Sequence, residues 1–162
     1  VSRLDSFIRR LEAQRACLDL AMQLAAEVDG TVLELGLGNG RTYDHLREHL
    51  PGREIFVFER RPDAHPDCMP DPGHIIIGDL EATLIDAVER LPAKAALVHS
   101  DIGTGDPGRN ARVAARVAAL LPPLLAAGAI VVSDQVLLAD ELASLPPPAN
   151  VAPGRYHLYR YG

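Results

Sequence analysis

Three glycines at alternate positions, Glu34-Leu35-Gly36-Leu37-Gly38-Asn39-Gly40, separate the apolar run Thr31–Leu35 from a helix-forming run that begins at Arg41. Glycines placed so let the backbone approach a ligand closely, and the first turn of the helix turns unpaired N–H groups towards it. A tight turn alone needs fewer glycines than this. Glu59 closes a second apolar run, Phe56-Val57-Phe58-Glu59, where a carboxylate can accept both hydroxyls of a ribose. Asp79 follows Gly78 after a third run, in a position suited to a helix N-cap. Asp101 follows Leu97-Val98-His99-Ser100, at the carboxyl end of a fourth, where sheets of parallel strands present their ligands. The chemistry these residues offer is the recognition of a nucleoside by backbone amides and carboxylates.

A dinucleotide fingerprint is the first pattern to test, and it fails. Counted from Gly36, its last small-residue position holds Arg41, and counted from Gly38 it holds Tyr43, so close packing of helix on strand is not provided for. Glu-x-Gly-x-Gly-x-Gly instead resembles the first motif of class I (Rossmann-like) S-adenosylmethionine-dependent methyltransferases. The resemblance implies that Glu34, Gly36, Leu37, Gly38, Asn39, Gly40 and Thr42 line the cofactor and that Glu59 holds its ribose; Arg60, with Arg61 beside Glu59, reads as flanking the adenosine or an acidic acceptor, or, as adjacent charges after a strand usually do, as a solvated turn. It places Asp79, with the neighbouring backbone at Leu80, against the adenine, and Asp101 against the methionine amino group or the methyl acceptor. The opening helix, Arg3-Leu4-Asp5-Ser6-Phe7-Ile8-Arg9-Arg10, is similar to that of a small bacterial family of such enzymes, and the likeness covers most of the chain.

The elements that must position these residues are legible from periodicity. Leu4, Phe7, Ile8, Leu11, Leu18, Ala21, Met22 and Ala25 recur at helical spacing from Ser2 to about Val28, interrupted at Gln14-Arg15, where the helix is expected to bend. Strands are predicted at Thr31–Leu35, Glu54–Phe58, His74–Ile77, Ala95–Ser100 and Ala129–Ser133, and helices at Arg41–Leu50, Leu80–Arg90 and Asn110–Leu121. These strands are nearly continuous in apolar residues, so helices should cover both faces, as in parallel sheets. The fold class is therefore α/β, a doubly wound and mostly parallel sheet, one domain over residues 1–162 with an N-terminal helix over 1–28 and an α/β core over 31–162. After Ser133 a short helical pattern through Leu145 meets Pro146-Pro147-Pro148, and Arg155–Tyr161 reads as one terminal edge strand. The closing antiparallel hairpin of the resembled enzymes is thus expected in reduced form, and the open edge at 156–161 makes self-association into a homo-oligomer plausible.

Composition narrows the function. A net charge of -6 supplies no basic field to gather phosphates, which argues against a nucleic-acid partner and towards a small-molecule acceptor. Cys17 and Cys68 form no zinc or disulfide framework, the charged N-terminus is unlike a secretory signal, and no apolar stretch is long enough to span a membrane; the cytoplasm is the expected location. Methyl transfer from a sulfonium is an in-line displacement and needs a base only if the acceptor must lose a proton. Asp101 is the first candidate, followed by His99, Asp134 and His45, with a buried, hydrogen-bonded core role the favoured reading for His99. Val132-Ser133-Asp134-Gln135-Val136-Leu137 is similar to a stretch of divalent-metal catechol-type O-methyltransferases, which implies, as an alternative, a magnesium site of Asp101, Asp134 and Gln135. Two competing functions stand beside these: a nicotinamide-dependent oxidoreductase and a non-catalytic S-adenosylmethionine-binding module. The Pro62–Pro72 segment, with His65, Asp67 and Cys68, matches no metal spacing and is expected as a loop over the pocket rim.

Overall fold

Every residue of Thr31–Leu35 is buried, as a strand covered on both faces requires. Alternate side chains sort cleanly into two layers. Leu33, Leu35, Phe56, Phe58, Val98 and Val131 face one of them. Val32, Val57, Leu97, Ile130 and Val132 face the other. The computed structural model describes residues 1–162. Its elements are α1 (Arg3–Leu24), β1 (Thr31–Leu35), α2 (Arg41–His49), β2 (Ile55–Glu59), β3 (Ile75–Ile77), α3 (Leu80–Arg90), β4 (Ala95–Ser100), α4 (Pro107–Leu120), β5 (Leu125–Ser133), β6 (Leu142–Leu145) and β7 (His157–Tyr161). The sheet has seven strands in the order β3-β2-β1-β4-β5-β7-β6. β1 to β5 run parallel, and β7 lies antiparallel to both β5 and β6. Leu84 and Ala87 of α3 and Ala114, Val117 and Ala118 of α4 pack on the first face. Cys17, Leu18, Ala21 and Met22 of α1 and Tyr43 and Leu46 of α2 pack on the second.

Helix α1 is continuous through Gln14-Arg15. Ser2 and Asp5 form a capping box at its start, with the Asp5 N–H donating to Ser2 Oγ at 3.0 Å and the Ser2 N–H to Asp5 Oδ2 at 3.2 Å. Burial begins only at Ala13, and Gln14 lies in the buried stripe itself instead of breaking it. Leu4, Phe7 and Ile8, expected to face the core, are 67%, 46% and 44% exposed because the first three turns run past the sheet. The helix stops at Leu24, short of Val28, because Arg53 gathers the chain there. Its guanidinium donates to the carbonyls of Ala25 (3.0 Å), Ala26 (3.1 Å), Val28 (2.8 Å) and Gly30 (3.3 Å), supplying the cation that the last turn of α1 lacks.

Several elements differ from the sequence reading, among them β5, which starts at Leu125 and not at Ala129. Helix α4 starts at Pro107, with the Arg109 N–H donating to the Asp106 cap at 3.0 Å; Asp followed by Pro is a helix start, and the first turn precedes Asn110. Residues after Ser133 do not form a helix: Leu142–Leu145 pair with β7, and Tyr159 Oη accepts the Leu137 N–H at 2.9 Å to hold the preceding loop. His157–Tyr161 is therefore an inner strand and not the edge, so the premise for self-association through it is removed; β6, followed by Pro146-Pro147-Pro148, is the edge on that side. Arg53→Met should cost about 1–3 kcal/mol through loss of charged hydrogen bonds to four carbonyls, read as a lowered urea midpoint. An unchanged midpoint would show that α1 ends without its help.

Candidate active site

The glycine loop leaves β1 at the centre of the sheet and enters α2, and each of its glycines answers a different demand. Gly36 has φ +93°, and a Cβ there would lie 2.9 Å from the carbonyl oxygen of Asp101, so the loop could not pass the end of β4. Gly40 has φ +83°, and its Cβ would fall 2.6 Å from Cys68 Cβ and 2.7 Å from the Cys68 carbonyl, so it lets the Pro62–Pro72 segment pack down. Gly38 has φ +51°, and its Cβ would meet nothing within 4 Å. Of the three, only Gly38 borders open space.

Glu59, at the end of β2, clasps this loop. Its Oε2 accepts the N–H groups of Leu37 (2.9 Å) and Gly38 (3.3 Å), and its Oε1 those of Arg60 (2.7 Å) and Arg61 (3.0 Å). Burial works against the charge, but the amides of Arg61, Leu37, Gly38 and Arg60 outweigh it and hold the carboxyl below its ordinary value. Asp79 Oδ1 caps α3 through the N–H groups of Glu81 (3.1 Å) and Ala82 (3.3 Å), leaving Oδ2 without such a bond. Between these residues lies a cleft of about 300 Å³ lined by Gly36, Glu59, Arg60, Asp79, Leu80 and Asp101. It shares Gly36 and Asp101 in its walls with a second cavity of about 180 Å³ that α1 roofs with Phe7, Arg10 and Gln14 above Gly38, Asn39 and Thr42.

Two residues expected to line the cofactor have buried side chains. Glu34 is wholly buried beneath the loop, one oxygen taking the Thr42 hydroxyl and the other lying 2.7 Å from His99 Nδ1. The Leu37 side chain points into the α1–α2 core, so only its backbone reaches the site. The reason is strand alternation: Glu34 stands on the same face as Val32, covered by helices. His99, on the neighbouring strand and in register with Glu34, is equally buried. Burial disfavours its charge, yet the Glu34 carboxylate prevails and raises its pKa above the ordinary value. From His99 the contacts run to Tyr156 Oη at 3.2 Å, to Gln14 Nε2 at 2.8 Å, and from there to Asp101 Oδ2 at 2.9 Å; Arg10 Nη2 lies 3.1 Å from Asp101 Oδ1. Sequence reasoning did not select Gln14 or Tyr156 as site residues. The signal available was Gln14 itself, a polar side chain on the apolar stripe of α1.

The magnesium alternative does not suit its residues. Asp134 accepts the N–H groups of Ile102 (3.2 Å) and Gly103 (2.9 Å) and the Gln135 side-chain amide (2.9 Å), so it shapes the loop after β4. Burial raises its pKa, the Gln135 amide opposes this, and the nearby Asp101 charge raises it further. Asp101 in turn is held by Arg10 and Gln14, and no group of three His, Cys, Asp or Glu side chains gathers anywhere in the fold. His45 stands apart from Asp101, paired with Asp19 at 2.7 Å in a groove between α1 and α2.

A sheet ordered 3-2-1-4-5-7-6 with its last inner strand reversed, a glycine loop after β1 and an acid after β2 together define a class I S-adenosylmethionine-dependent methyltransferase. The chain belongs to the S-adenosyl-L-methionine methyltransferase family whose sequence profile matches residues 1–161. A crystal structure of an S-adenosyl-L-methionine methyltransferase from Silicibacter pomeroyi DSS-3 is 46% identical, with a TM-score of 0.92 and 99% of both chains covered. The fold alone is shared with human Methyltransferase-like protein 13 in complex with SAH, at TM-score 0.58 and 15% identity over 93% of this chain and 81% of that one. It is shared too with Streptomyces venezuelae DesVI, at TM-score 0.53 and 19% identity over 90% and 64%. No curated protein matches. The family sets aside the nicotinamide oxidoreductase and the non-catalytic module.

Because the loop glycines differ in surroundings, Gly40→Ala should destabilise by about 2–3 kcal/mol and Gly38→Ala by about 1 kcal/mol in urea unfolding; equal losses would mean that the Cys68 contact is not limiting. Glu59 has a depressed pKa, so its contribution is complete above the ordinary value of 4.5 and is lost as pH falls through the lower folded value. The stability gap between wild type and Glu59→Gln should accordingly shrink from pH 7 to pH 3, and a constant gap would separate the clasp from the carboxylate's charge.

Proposed function

We propose that the enzyme methylates a small molecule, with the adenosine half of the cofactor in the cleft between Glu59 and Asp79 and the methionine half crossing Gly36 to Asp101. The observation that carries this reading is that the two cavities share Gly36 and Asp101 in their walls, with Glu59 in the first and α1 roofing the second. The bound cofactor supplies an electrophilic methyl group, displaced in line by the acceptor. Everything else falls to the protein's own groups. Glu59, kept anionic, accepts the ribose hydroxyls; its bond from Gly38, at 3.3 Å the longest, is the one a hydroxyl replaces at least cost. Asp79 Oδ2, unused by the cap, faces the adenine edge beside Leu80 and Arg60. Gly38 presents backbone without side-chain obstruction, and Phe7 and Leu11 of α1 keep water from the methyl-transfer path.

The small-molecule reading draws on two further points. The net charge is -6, and the groove between α1 and α2 measures about 350 Å³, a scale suited to a small ligand. Asp101, the carboxylate common to both halves of the site, is the base for an acceptor that must lose a proton only where the methionine ammonium does not occupy it.

Isothermal titration should show S-adenosylmethionine and S-adenosylhomocysteine binding, no heat from NADH, and a loss of about tenfold or more, ~1.4 kcal/mol, in Glu59→Ala. Unaltered affinity in the variant removes Glu59 from the cofactor site. Incubation of a cell extract with enzyme and methyl-tritiated cofactor should place label in the small-molecule fraction; label in protein or RNA overturns the acceptor class.

A further inference from the structure

One buried hydrogen-bonded line runs from the glycine loop to the cleft: Thr42, Glu34, His99, Tyr156, Gln14, Asp101. Glu34 and His99 have no exposure at all, Tyr156 has 2% and Gln14 6%. The direction of the bonds at Gln14 follows from the last member. Asp101 accepts only, so the atom 2.9 Å from its Oδ2 is the Gln14 amide nitrogen, whose second hydrogen goes to Tyr156 Oη at 2.8 Å. Tyr156 Oη lies 3.2 Å from His99 Nε2 and gives it a hydrogen when the imidazole is neutral, or accepts one from it when the imidazole is protonated. In both states His99 carries a proton on Nδ1 and donates it to Glu34 at 2.7 Å.

A core of leucines would fill this volume without the desolvation that such a line incurs, so the polar path asks for a purpose beyond packing. Its two ends supply one. Asp101 Oδ2 is fixed from the interior by Gln14 at 2.9 Å, and Arg10, whose side chain is 46% exposed, is the only side chain on Oδ1, at 3.1 Å, reaching Oδ2 more weakly at 3.4 Å. The carboxylate thus has one pinned oxygen and one available oxygen, held in the wall that the two cavities share.

We propose that Tyr156 and His99 are positioning residues for the cofactor: acting through Gln14, they orient Asp101 so that its Oδ1 receives the ammonium of the methionine moiety in place of Arg10. This rests on the reading that Asp101 meets that ammonium. The exchange swaps one cation for another, so the charge of the site is conserved, and the geometry of the exchange is set by a tyrosine that never touches the ligand.

The test compares S-adenosylhomocysteine with 5′-methylthioadenosine, which keeps the nucleoside and lacks the amino-acid half. Tyr156→Phe should weaken the first about fivefold or more and leave the second within about twofold, and it should add nothing in an Asp101→Asn background. A merely structural Tyr156 would weaken both ligands alike, in either background, and that result overturns the proposal. Should Tyr156→Phe not fold, Gln14→Met breaks the same line from α1 and carries the same expectations. If Asp101→Asn binds S-adenosylhomocysteine as wild type does, the assignment of Asp101 to the ammonium fails first, and the positioning role fails with it.

Discussion

A carboxylate with no access to water, that of Glu34, governs the arrangement of the centre of this enzyme. Taking such a charge out of solvent costs several kcal/mol unless partners replace the water. The partners here are the Thr42 hydroxyl and the His99 imidazole, and neither is free to lie elsewhere. Thr42 belongs to the first turn of α2, so its bond to Glu34 fixes how the helix leaves the glycine loop. His99 sits on β4 in register with Glu34, so the pair also locks the two central strands at the end where the ligand site opens. The loop can then be rich in glycine, and locally unconstrained by side chains, because a polar contact one layer below sets its course.

The three glycines show how little a motif says about mechanism until its surroundings are known. All have positive φ, yet Gly36 yields to the Asp101 backbone, Gly40 to Cys68, and only Gly38 to open space. Two of the three therefore serve the passage of one chain segment past another. Glu59 completes the arrangement from the next strand by taking up the amides of Leu37 and Gly38, which the turn would otherwise leave unpaired. Loop, clasp and buried pair are mutually dependent.

The parallel half of the fold was legible because its strands are short apolar runs bounded by turn residues, and because period-two alternation assigns each residue to a face. Legibility faded after Ser133, where Leu142–Leu145 is too short to show either period and is a strand only because β7 lies beside it. Asp106-Pro107 carried a helix start that apolar periodicity alone passes over. At the site, positions in sequence located the strand-end acids but not their states. Gln14, Tyr156 and Arg53 act through contacts to residues far away in the chain, and no local pattern encodes a partner 142 positions distant, as Tyr156 is from Gln14.

Four carboxylates at or near the carboxyl ends of the strands illustrate why state matters more than place. Glu34 is sealed and paired with histidine. Glu59 is held ionised by backbone amides. Asp134 is driven towards the neutral form by burial and the Asp101 charge, and it spends its oxygens on the N–H groups of the loop that carries Gly103, where any Cβ would lie 2.1 Å from Asp134 Oδ2. Asp101 alone combines partial exposure, an exposed cationic partner and an interior hydrogen bond that orients it. Divergence of this kind among like groups is what separates scaffold from site, and it arises from which face of which strand each acid happens to occupy. The acid best suited to meet a cationic ligand is the one whose neighbours hold it still without using it up.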